Sequence, residues 1–171
     1  PEMAAAGARS AGWNNGSGNN FFNMAKSLPV DISILLRAER GVGKSQMVAQ
    51  LADHFREHEH GGKGFPLIDR RLSQLSDGDL LGLPYTDGRI TVFNLPEGVQ
   101  QACDEPVCLF LDEINRATQE VMNGAFEMCL DRSIQGRKLH PQTRVYSAIN
   151  CGASYIVNEM DPALLDRFWA I

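Results

Sequence analysis

Ile32-Ser33-Ile34-Leu35-Leu36-Arg37-Ala38-Glu39-Arg40-Gly41-Val42-Gly43-Lys44-Ser45-Gln46 is the stretch from which the fold is read. Its first part, Ile32 to Leu36, is short and almost continuously apolar, the pattern of a strand buried on both faces of a parallel sheet. Beyond Ser45 the apolar period turns helical at once, with Met47, Val48, Leu51, Ala52 and Phe55 on one face. Between strand and helix, Gly41 and Gly43 let the backbone turn tightly and bring its N–H groups close to an anion. The new helix adds its positive end, and Lys44 adds a point charge. Glu39, Arg40, Gly41, Val42, Gly43, Lys44, Ser45 and Gln46 are therefore expected to cradle a polyphosphate. Lys44 would reach the β- and γ-phosphates, and the Ser45 hydroxyl would face Mg²⁺. The first position of the usual GxxxxGKS pattern is Ala38 here, which a negative φ accommodates. The plain alternative is a glycine-rich turn with a solvated lysine.

Outward from this loop the same alternation repeats. Further apolar runs lie at Pro66 to Asp69, Val107 to Leu111, Val145 to Ile149 and Phe168 to Ile171. A second helical stripe is read from Val121, Met122, Ala125, Phe126, Cys129 and Leu130. Short strands alternating with amphipathic helices predict a three-layer α/β domain around a central parallel sheet. Two turns interrupt it, Thr86-Asp87-Gly88-Arg89 and Gln135-Gly136, each flanked by short β-type runs and each expected to close a hairpin off the sheet. Residues 1–20, rich in Ala, Gly, Ser and Asn, read as a flexible lead-in, and residues 21–171 as the folded domain. The chain starts without Met and stops just after an apolar run, so both ends are expected to be incomplete.

The run Val107 to Leu111 ends in Asp112-Glu113. Carboxylates at the C-terminal end of a strand stand where open α/β sheets bind their ligands. Asp112 is expected to hold the Mg²⁺ shell through water. Glu113, one residue on, is expected to take the proton of the water that attacks the γ-phosphate. An Asp-Glu pair after an apolar run is by itself a common helix start; the phosphate loop upstream favours chemistry.

The composition leaves little room for other classes. Lys and Arg number 16 against 21 Asp and Glu, a net charge of −5, which argues against a surface built throughout for nucleic acid. No run reaches the roughly 18 apolar residues of a membrane span, and no secretory leader is visible, so the cytoplasm is the expected compartment. Cys103, Cys108, Cys129 and Cys151 form no CxxC pair and are expected as reduced thiols in or near the core. His54, His58 and His60 bunch at a helix end, where the dipole accounts for them better than a metal does. No GxSxG elbow is present.

Three stretches together carry a family likeness: the phosphate loop, Leu109-Phe110-Leu111-Asp112-Glu113-Ile114-Asn115-Arg116-Ala117, and Ala163-Leu164-Leu165-Asp166-Arg167-Phe168. They resemble the AAA+ ATPases, most closely the MoxR-like and dynein-related branch. Asp69-Arg70-Arg71-Leu72-Ser73-Gln74 and Asp79-Leu80-Leu81-Gly82-Leu83-Pro84 resemble bacterial and phage members of it. The resemblance implies ATP and Mg²⁺ as cofactors. It also implies Asn150 as the sensor-1 residue beside Glu113, and Arg167 as an arginine finger reaching into the neighbouring subunit's site. The alternatives are that Asn150 caps a strand end and that Arg167 pairs with Asp161 or Asp166. The resemblance further implies a ring, expected to be a hexamer, that hydrolyses ATP and remodels an unidentified protein partner. A nucleic-acid motor on the same core and a non-catalytic nucleotide-dependent scaffold module are the other readings. The helical lid that follows the core in the family, with its sensor-2 arginine, is expected to be missing from residues 1–171. The basic turn with Arg132, Arg137 and Lys138 would face either substrate or solvent.

Overall fold

The computed structural model describes residues 15–39, 41–151, 161, 163 and 166–170. Five parallel strands form the central sheet: β1 (Ile34–Ala38), β2 (Leu67–Arg71), β5 (Cys108–Asp112), β8 (Arg144–Asn150) and β9 (Trp169–Ala170). Their spatial order is β2-β5-β8-β1-β9. Alternate side chains along each strand pack on opposite faces, as the two-residue period requires. Ile34, Leu36, Cys108, Phe110, Tyr146 and Ala148 pack against helices α1 (Asn15–Ser27) and α2 (Lys44–Glu59). Leu35, Leu109, Leu111, Val145 and Ile149 pack against α4 (Glu97–Asp104) and α5 (Gln119–Phe126) on the other face. Three layers result.

The helix after β1 covers one face, and the helices leading into β5 and β8 cover the other. The connectivity thus diverges between the adjacent strands β1 and β8, and a crevice opens beyond their C-terminal ends, the usual ligand position in such sheets.

Each strand begins or ends later than its apolar run. β1 starts at Ile34, leaving Ile32 39% exposed, and β2, β5 and β8 extend to Arg71, Asp112 and Asn150. The hydrogen-bond ladder continues past the apolar residues because polar side chains at these ends face the crevice rather than the core. At the N-terminal side α1 starts at Asn15, six residues inside the stretch read as lead-in, and anchors itself through buried Phe21, Phe22 and Ala25. Residues 1–14 and Ile171 lie outside the described residues.

The Val121 to Leu130 stripe departs from one continuous α-helix. After Phe126 the chain widens into a π turn over Glu127–Asp131. That turn brings neighbouring Met128 and Cys129 both into the core and leaves Leu130 only partly buried. Of the cysteines, Cys108 and Cys129 are buried and Cys103 is half-buried, but Cys151, one residue past the end of β8, is exposed, contrary to the expectation of a core thiol. Burial pushes the Cys108 and Cys129 thiols up to about 12, so both behave as inert packing groups.

Both hairpins form off the sheet: β3 (Leu83–Asp87) with β4 (Ile90–Asn94), and β6 (Ser133–Ile134) with β7 (Arg137–Lys138). The second turns through Gln135 and Gly136, both at positive φ as a type I′ turn demands. The first depends on Gly82, which follows α3 (Asp77–Leu81) at φ 81; a Cβ there would stand 2.1 Å from the Asn94 carbonyl oxygen. Among the described residues, no helix is long and apolar enough to cross a membrane.

Arg144 ties several elements together. Its guanidinium lies 3.8 Å from the Phe55 ring centroid, donates to the Leu28 carbonyl at 3.1 Å and bonds both Glu59 carboxylate oxygens at 3.1 and 3.2 Å. Arg132 does comparable work under the second hairpin, donating to the carbonyls of Val30, His140 and Thr143. Arg137 donates to Gln100. Arg132 and Arg137 therefore do not present free charge to a substrate; Lys138 is the exposed basic residue of that turn. His54 and His58 stack on each other at 4.2 Å, and His60 stacks on Phe65 at 4.4 Å.

Candidate active site

β1 delivers the phosphate loop to the crevice. Ala38 ends the strand, and Gly41 and Gly43 sit at φ 84 and 82, the left-handed region that glycine enters without strain. Gly43 caps the N-terminus of α2, whose first residues are Lys44 and Ser45. The cleft above them has a volume of about 470 Å³ and is lined by loop residues 41–46 together with Arg71, Asp112, Glu113 and Asn150. Glu39 contributes its carbonyl oxygen through Lys44 rather than lining the cleft. Arg40 lies outside the described residues.

Lys44 is buried, and its ammonium donates to the carbonyls of Ala38 and Glu39 at 3.2 and 3.1 Å and to Asn150 Oδ1 at 3.0 Å. Burial lowers its pKa, opposed by the charges of Asp112, Cys151 and Glu113. Asp112 stands across the cleft at the end of β5. Burial raises its pKa, opposed mainly by Lys44. The protein thus holds a cation and an anion that are both disfavoured by desolvation and that a ligand of mixed charge would stabilise.

Glu113 leaves the strand at φ 57, ψ 40, a conformation few non-glycine residues adopt and one that turns its carboxylate into the cleft. One carboxylate oxygen, Oε1, accepts from Asn150 Nδ2 at 3.3 Å; the other, Oε2, accepts from the Ser73 hydroxyl. Burial pushes the Glu113 pKa upward, but the bonds from Ser73 and Asn150 and the charges of Arg71 and Arg116 outweigh it and hold the carboxyl below its ordinary value. Asn150 is itself clamped. Asn115 Nδ2 donates to its carbonyl at 3.0 Å, and Asn115 Oδ1 accepts from its N–H at 3.3 Å.

Of the residues singled out by sequence, Gly41, Val42, Gly43, Lys44, Ser45, Gln46, Asp112, Glu113 and Asn150 come together in this cleft. Arg167 does not line it. Its partner is Asp131 at 3.1 Å, neither Asp161 nor Asp166, and both members of the pair are more than half exposed. Arg71, Ser73 and Asn115 were not assigned roles from sequence. Arg71 ends β2 and Ser73 lies in the 3-10 turn Leu72–Gln74 just after it, so both reach the acidic pair only through the sheet order, with Arg71 in register with Asp112. Asn115 carried a weaker signal, an asparagine next to an apolar residue two positions after the acidic pair.

No protein-family profile matches the chain. It is 36% identical over 109 residues to Midasin of Giardia intestinalis, a match covering 61% of this chain and 2% of Midasin. By structure it resembles a candidate ATPase from Cytophaga hutchinsonii, with a TM-score of 0.60 and 17% identity over 90% of this chain and 44% of that one. It also resembles a full-length MCM homologue from Methanopyrus kandleri, with a TM-score of 0.57 and 17% identity over 97% of this chain and 36% of that one. The fold is that of an AAA+ P-loop core. NtrX from Brucella abortus shares it, with a TM-score of 0.54 and 15% identity over 87% of this chain and 34% of its own. The chain spans less than half the length of each of these proteins.

The Ser73 contact yields a direct expectation. Ser73→Ala removes one of the two side-chain donors that hold Glu113 ionised, so the Glu113 pKa rises. The acidic limb of any pH–rate profile set by ionised Glu113 should then move to higher pH, with the rate near neutrality less affected.

Proposed function

We propose that this chain binds ATP with Mg²⁺ and hydrolyses it in a site shared between copies of the chain. The observation that carries the reading is the convergence of Lys44, Asp112, Glu113 and Asn150 on one glycine-walled cleft, with Asn150 bridging Lys44 at 3.0 Å and Glu113 at 3.3 Å.

In this reading the N–H groups of the loop and the start of α2 bind the phosphates, and Lys44 exchanges its carbonyl partners for β- and γ-phosphate oxygens. Ser45 and Asp112 present hydroxyl and carboxylate oxygens to the same cleft, a hard-oxygen donor set that suits Mg²⁺. Bound there, Mg²⁺ would offset charge on the phosphate oxygens. Glu113 accepts a proton from the attacking water as the new P–O bond forms and the bond between the γ-phosphorus and the β-phosphate bridging oxygen breaks. Asn150, fixed by Asn115, orients that water and the Glu113 carboxylate.

Arg167 is assigned to the neighbouring copy's γ-phosphate, where a guanidinium would stabilise developing charge. Its contact with Asp131 does not oppose this, because an exposed pair contributes under about 1 kcal/mol and is readily exchanged. A ring, hexameric by family resemblance, follows from an arginine supplied in trans. The work of the ring is remodelling of a protein partner, as in the MoxR-like branch, a reading supported by the resemblance of residues 69–74 and 79–84 to that branch.

Complementation tests the shared site. Arg167→Ala and Glu113→Gln chains, each inactive alone, should regain part of the ATPase rate when mixed, because some interfaces then pair an intact Glu113 with an intact Arg167. No recovery at any mixing ratio, with co-assembly shown by sedimentation, would contradict the in-trans role.

A further inference from the structure

Beyond the nucleotide cleft a second cavity, of about 330 Å³, is lined by Arg71, Ser73, Gln74, Glu113 and Arg116. Arg71 and Glu113 line both cavities, so their side chains form the wall between them. The two oxygens of Glu113 report the same division. Oε1 is held by Asn150, which lines only the nucleotide cleft, and Oε2 by Ser73, which lines only the second cavity.

The second cavity is almost wholly polar, and its formal charge is two guanidiniums against one carboxylate. From this arrangement we infer that it is a product subsite, which takes the inorganic phosphate split from ATP and passes it out behind Glu113. The inference rests on the ATPase reading above. Two guanidiniums supply forked donors matched to a tetrahedral oxyanion, and the Gln74 amide adds a neutral donor, while the one Ser73 hydroxyl proton is given to Glu113. The hollow opens to solvent past the exposed Arg71, Ser73 and Gln74, and its volume of about 330 Å³ admits a single small anion.

Arg116, which lines the second cavity and not the first, acts on the product rather than on ATP.

The test titrates inorganic phosphate into the Lys44→Ala chain, where the phosphate loop no longer competes, and follows binding by phosphorus NMR and calorimetry. Saturable binding is expected to persist there, to weaken at least tenfold on adding Arg116→Gln, and to return in part with Arg116→Lys. Thermal melting checks that each variant is folded, and the lysine variant reads the charge without deleting it. Absence of phosphate binding in the Lys44→Ala chain, or binding indifferent to Arg116→Gln, would overturn the inference. Phosphate binding that persists while the unaltered chain fails to bind ATP would overturn the nucleotide reading and leave the anion cavity standing.

Discussion

Glu113→Gln is expected to give a protein that binds ATP and does not turn it over. The substitution keeps the size of the side chain and is no worse suited than Glu to the left-handed backbone at φ 57. It keeps an amide oxygen able to accept from Ser73 or Asn150. It removes the capacity to take a proton, together with the charge and one of the two acceptor oxygens, and a positioned general base contributes about 10²–10⁴ in rate. Nucleotide affinity should hold or improve, since a carboxylate facing the γ-phosphate has been neutralised. Single-turnover hydrolysis measured beside equilibrium ATP binding separates the two quantities. A variant that hydrolyses ATP at the unaltered rate would remove Glu113 from its role as base.

The phosphate loop and the acidic pair were legible because their chemistry is local: glycines, lysine and serine stand consecutively, and two carboxylates follow one apolar run. Their neighbours were not. Ser73 reaches Glu113 across 40 positions, and Asn115 clamps Asn150 across 35, contacts that exist only once β2, β5 and β8 lie side by side. Arg132 shows the converse. In sequence it belongs to a basic turn, yet a left-handed residue at the base of the hairpin directs its guanidinium inward to three carbonyls. The strand boundaries failed for a related reason. An apolar run marks the part of a strand that faces the core, whereas Arg71, Asp112 and Asn150 are strand residues that face the cleft. The partner of Arg167 was missed because Asp131 lies at the end of a π turn that the helical period gave no cause to expect.

Lys44→Ala is expected to abolish useful nucleotide affinity. Lys44 is the cleft's buried cation, facing Asp112 and Glu113, and its loss would leave those two carboxylates opposite a polyphosphate. It would also release Asn150 Oδ1 from its 3.0 Å bond and so loosen the group that holds Glu113. Two charge-assisted contacts to phosphate at about 1.5–3 kcal/mol each correspond to a loss of about 10²–10⁴ in affinity. The most direct measurement is therefore a titration of a fluorescent ATP analogue with Mg²⁺ into the unaltered chain and into Lys44→Ala, both shown to be folded. The account predicts one saturable site per chain whose dissociation constant rises at least about 100-fold in the variant. No saturable binding to the unaltered chain, or equal affinity in the two, would contradict it.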